Sequence, residues 1–75
     1  MAEHDHEYAV ITKVLVSGSR AKAYVFIPSI PKNPSGTHIF TIDGGQGLAK
    51  YKVGETVFVS FFLTPDGTPM NLRIR

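Results

Sequence analysis

Four clusters of turn-forming residues divide this chain. They are "SGSR" (Ser17 to Arg20), "PSIPKNPSG" (Pro28 to Gly36), "DGGQG" (Asp43 to Gly47) and "TPDGTP" (Thr64 to Pro69). Glycine, proline, asparagine and aspartate in such groups end regular structure, and proline cannot donate to a hydrogen-bond ladder. The runs left between them are short and rich in β-branched and aromatic residues, as strands require. "YAVITKVLVS" (Tyr8 to Ser17) gives the first strand and residues 21–28 the second. "THIFTI" (Thr37 to Ile42) gives the third and "TVFVSFFL" (Thr56 to Leu63) the fourth. "MNLRIR" (Met70 to Arg75) alternates strictly, with Met70, Leu72 and Ile74 expected inward and Asn71, Arg73 and Arg75 outward. "LAKYKVGE" (Leu48 to Glu55) has room for one short helical turn. Five short strands with one longer connection, between the third and the fourth, predict an all-β antiparallel barrel. Closure also removes edges that a small sheet would expose.

A chain of 75 residues makes one small domain. Residues 1–7 read as a flexible tail of acidic and histidine residues, and residues 8–75 as the folded domain. With no cysteine there is neither a disulfide nor a thiolate metal site. No apolar run reaches the length of a membrane span, and the polar start "MAEHDHEY" does not resemble a secretory signal. The expectation is a soluble cytoplasmic protein with no membrane partner.

The net charge of +2 conceals an asymmetry. Glu3, Asp5 and Glu7 lie in the first eight residues. From Ala9 onward eight basic residues face three acidic ones, Asp43, Glu55 and Asp66, a net of +5. A basic small domain suits a phosphate-bearing partner, although ordinary solvated charge gives the same composition.

The second strand contains "KAYVFI" (Lys22 to Ile27). Alternation puts Lys22, Tyr24 and Phe26 on one face and Ala23, Val25 and Ile27 on the other. A small barrel has a narrow interior, which favours the smaller set inside. If Ile39 and Thr41 of the third strand also point in, His38, Phe40 and Ile42 point out. Tyr24, Phe26 and Phe40 then form an exposed ring cluster with Lys22 and His38 at its margin. Bases of a single strand stack on such rings, and nearby cations meet the phosphates. A register slipped by one residue exchanges the faces and makes Tyr24 and Phe26 core.

"KAYVFI" resembles the first nucleic-acid motif of cold-shock domains, K-G-F-G-F-[IV], through Lys22, Tyr24, Phe26 and Ile27. "HIFTI" resembles the second, V-F-V-H-F, through Ile39 and Phe40. "YKVGETVFV" is similar to the family's L-x-x-G-x-x-V-x-F through Tyr51, Gly54, Val57 and Val59, and "DGTPMNLRI" to its closing K-G-x-x-A-x-N-V. The likeness spans about residues 9–75. It implies a five-stranded OB-type, cold-shock-like barrel that binds single-stranded DNA or RNA with little sequence preference. The departures are Ala23 and Val25 for the two glycines, Thr41 and Ile42 for valine and a stacking histidine, and the absence of tryptophan. The expected site is Lys13, Arg20, Lys22, Tyr24, Phe26, Lys32, His38 and Phe40. Tyr24, Phe26 and Phe40 would stack bases, His38 would act at the rim, and the cations would meet phosphates.

The rival expectation is a protein-binding barrel. If Val57, Val59 and Phe61 point inward, Phe58 and Phe62 point outward, where two large apolar rings mark a partner or homodimer surface. His4-Asp5-His6 offers two imidazoles, too few for a structural metal site, so neither metal nor cofactor is expected. An enzyme is not expected either. The acids of the body are few and scattered, there is no G-x-S-x-G turn, and "DGGQG" lacks the G-K-[ST] of a phosphate loop.

Overall fold

The protein is described by a computed structural model covering residues 2–30 and 32–75, with side chains from residue 7 onward. Five strands form one antiparallel sheet: β1 (Ala2–Ser17), β2 (Arg20–Phe26), β3 (Ile39–Gly45), β4 (Thr56–Leu63) and β5 (Pro69–Ile74). The order across the sheet is β3-β2-β1-β4-β5. The sheet curls until β3 and β5 come together, giving the nearly closed five-stranded barrel of the OB type. A 3-10 turn, Gln46–Lys50, lies between β3 and β4. Among the described residues no helix is long and apolar enough to cross a membrane.

β1 is long because it serves two neighbours. Its C-terminal half pairs with β2, from Val10↔Phe26 to Ser17↔Arg20, and its N-terminal half with β4, from Val10↔Thr56 back to Ala2↔Leu63. Residues 2–7, expected as a tail, therefore belong to the β1–β4 ladder; Met1 lies outside the described residues. The edge of β4 supplies the hydrogen-bond partners that an isolated polar segment lacks.

Two irregularities in β1 allow the bend between its halves. Thr12 is an extra residue between the pairs Ile11↔Val25 and Lys13↔Tyr24. An inserted residue kinks a strand and exchanges the faces beyond it. Ala9 and Ile11 accordingly point inward before the bulge and Val14 after it, while Lys13 and Leu15 face out. The Thr12 hydroxyl fastens the bulge by donating to the Tyr24 carbonyl at 3.1 Å. The second irregularity lies between His4 and Glu7.

The core is made by one face of each strand. Ile11, Val25, Ile27, Val59 and Phe61 are fully buried, and Ile30 closes one end from the β2–β3 loop. β2 buries Ala21, Ala23 and Val25, as its alternation predicts. β4 buries Val57, Val59 and Phe61 as expected, and Phe58 faces out. β5 departs from strict alternation. Between Ser60↔Arg73 and Phe62↔Met70 it carries one residue more than β4, with Asn71 at φ 55. Leu72 and Ile74 pack on the core, but the bulge turns Met70 outward.

Candidate nucleic-acid interface

The outer face of β1, β2 and β3 is ordered in rows by the register. Val10, Phe26 and Ile39 form one row. Lys13, Tyr24 and Thr41 form the next, then Leu15, Lys22 and Asp43, with Arg20 beyond them. The first row is wholly apolar, the next two mix an apolar or aromatic body with polar side chains, and among the described residues no strand covers them.

Tyr24 is half-buried in the middle of this face, and the Lys13 Nζ stands 5.9 Å from its ring centroid. That distance allows a cation–π contact. Phe26 is 38% exposed, a large apolar ring in contact with water. His38 meets it edge to face, with centroids 6.1 Å apart and an interplanar angle of 80°. The His38 Nδ1 lies 2.7 Å from the Ile30 carbonyl. A carbonyl only accepts, so Nδ1 carries the hydrogen. Lys22 lies 3.9 Å from the Asp43 carboxylate across the β2–β3 ladder.

The structure thus brings Lys13, Arg20, Lys22, Tyr24, Phe26 and His38 to one face. It places two expected residues elsewhere. Phe40 is 9% exposed and belongs to the core, so it offers no stacking surface. The facing of β3 is the reverse of that expected. Phe40 and Ile42 point in, while Ile39, Thr41 and Asp43 point out. The reason is polarity: the inward alternative would bury Thr41 and Asp43. Ile39, 37% exposed beside Phe26, takes the surface place expected for Phe40. Lys32 lines a separate cleft of about 260 Å³ bounded by the β2–β3 loop, Phe40 and the β4–β5 turn.

Val10, Leu15, Ile39, Thr41 and Asp43 are face residues absent from the expected site. The β3 members were signalled by the parity of Thr41 and Asp43. Leu15 and Lys13 share a face by simple alternation. Val10 joins them only because of the bulge at Thr12, which leaves no mark in the composition.

A second exposed apolar area lies over β1 and β4. Tyr8 is 62% exposed and its ring lies 4.3 Å from that of Phe58, centroid to centroid. Phe62 is half-buried, and Met70 pairs with it on the same outer side. Tyr8 of β1 packs on the Phe58 ring and leaves both rings partly exposed.

Among the described residues no three His, Cys, Asp or Glu side chains are placed to hold a metal ion. The side chains of His4, Asp5 and His6 lie outside the described residues. No protein-family model matches the chain, and no curated protein and no solved structure matches it either.

Proposed function

We propose that this barrel is a binding module, not an enzyme, and that it binds single-stranded DNA or RNA with little sequence preference across the outer face of β1–β3. The observation that carries the reading is the juxtaposition of the exposed Phe26 ring and the half-buried Tyr24 ring with Lys13, Lys22 and Arg20 on β1 and β2. Rings of this kind bind bases irrespective of sequence, because every base has a π-face. The cations supply the phosphate term. A duplex keeps its bases inside and cannot use the rings. The similarity of "KAYVFI" to a cold-shock motif agrees with this use of Tyr24 and Phe26; Phe40 and Lys32 are not part of it.

The test is a fluorescence-anisotropy titration with labelled oligo-dT, oligo-U and a duplex at low and near-physiological salt. The single strands are expected to bind and the duplex to bind weakly. Tyr24→Ala is expected to lower single-strand affinity by about tenfold, the lower part of the range for one stacked base. Absence of single-strand binding at low salt overturns the reading.

The Tyr8–Phe58 stack, with Phe62 and Met70 beside it, favours a second reading, a protein-interaction barrel that self-associates through this surface. Size-exclusion chromatography over a range of concentrations separates the two. A concentration-independent monomer removes the homodimer.

A further inference from the structure

One row beyond Tyr24, the outer face deepens into a depression of about 400 Å³. Leu15, Ser17, Arg20, Ala21, Lys22 and Asp43 line it. Leu15, Lys22 and Asp43 are direct cross-strand neighbours, so the pocket spans β1, β2 and β3 and is built on strands, not loops. Leu15, 43% exposed, gives it an apolar wall. Arg20, Lys22 and Asp43 supply two cations and one carboxylate. Successive rows are about 7 Å apart, two residues along a strand, so the nucleotide next to one stacked on Tyr24 reaches this depression.

A carboxylate is out of place on a surface that attracts phosphates unless the ligand gives it donors. Asp43 accepts hydrogen bonds and donates none. Guanine alone among the bases presents two neighbouring N–H donors, N1–H and the N2 amino group, on its Watson–Crick edge. They match the two oxygens of a carboxylate. Next to them lies O6, an acceptor suited to an ammonium. Lys22 stands beside Asp43 with the same order of charge, its Nζ 3.9 Å from the carboxylate. Adenine and cytosine offer one exocyclic donor flanked by an acceptor, and uracil and thymine one N–H between two carbonyls. Each of these turns a lone pair toward Asp43. The Lys22–Asp43 pair is exposed on both sides, so a base that inserts between its members displaces only a weak ion pair.

We propose that this depression takes a guanine base of the bound strand, with Asp43 as the residue that reads it, Lys22 on O6 and Arg20 on the adjoining phosphate. The inference rests on the single-strand reading of the face. It adds to that reading one position of base preference on an otherwise indifferent surface.

The experiment compares labelled dT heptamers carrying guanine, inosine's base hypoxanthine, or adenine at the centre, with the all-dT heptamer alongside. Hypoxanthine differs from guanine only in lacking the N2 amino group, so stacking and charge are nearly constant. The guanine heptamer is expected to bind about five- to tenfold tighter than the hypoxanthine one, the lower range for loss of a bidentate contact, and Asp43→Asn to bring the two together. Equal affinities in the wild-type protein, with the all-dT heptamer still bound, overturn the guanine assignment and leave the single-strand reading standing. A difference that survives Asp43→Asn overturns the role of Asp43. Failure of every heptamer to bind overturns both readings.

Discussion

Removing the ring of Tyr24 and removing the ring of Phe40 are expected to give opposite results. Phe40→Ala empties a core position and should cost about 3–5 kcal/mol of stability, read from denaturant midpoints. Tyr24→Ala should cost much less stability while lowering single-strand affinity. A Phe40→Ala variant of unchanged stability would mean that the ring is not core. The two residues show what could be read beforehand. In "KAYVFI" the alternation separates small from large side chains, and the narrow interior decides between them. In "HIFTI" both faces carry an apolar residue, and the motif likeness favours Phe40 outward. Extending the alternation one step to Asp43 would have reversed that reading, because a buried unpaired carboxylate costs more than an exposed isoleucine. Lys32 was misplaced for another reason: no periodicity governs a loop.

The turn between β4 and β5 lies where its sequence signal put it, although the strand that follows is bulged. "TPDGT" folds as a turn in which the Gly67 amide donates to the Thr64 carbonyl at 2.9 Å, and the Thr64 amide to the Thr68 carbonyl at 2.9 Å. Gly67 sits at φ 88, a left-handed conformation that a Cβ opposes. Gly67→Ala is therefore expected to lower stability by about 1–2 kcal/mol, visible as a drop in Tm. Within the turn the Asp66 carboxylate accepts from the Thr64 hydroxyl and from the Thr68 amide. The Thr64 hydroxyl above all, and then Thr68, hold its pKa below the ordinary aspartate value. Its contribution to the hairpin is complete above the unfolded-chain value of about 3.9 and is lost as pH falls through the lowered folded value. In an NMR titration the Thr68 amide should keep its shift through the usual aspartate range and move only at lower pH, and Asp66→Asn should abolish that movement. The bulges in β1 and β5 could not be placed in this way. An inserted residue is a relation between two strands, and the register of the partner is absent from either strand alone.

At the scale of the whole molecule, the five-strand count and the barrel follow from where the turns fall, but the reach of β1 does not. Alternating histidine and acid at residues 4–7 carries no apolar signal. Only the β4 edge makes that segment a strand. The charge carried by the folded body leads to the last expectation. With Lys13, Arg20 and Lys22 meeting about three phosphates of an all-dT strand, which offers Lys22 no guanine, log affinity should fall against log salt with a slope near −2. A slope near zero would mean that the cations take no part. The pairing of β1 with β4 also sets an order of events in time. The β1–β2, β2–β3 and β4–β5 ladders join neighbours in the chain, whereas Ala9 must find Val57, and Tyr8 must find Phe58, across everything between them. Closing that long loop is the entropic bottleneck of folding. The β1–β2–β3 meander and the β4–β5 hairpin close only short loops, so the chain is expected to become a barrel at the rate at which these two halves meet along β1.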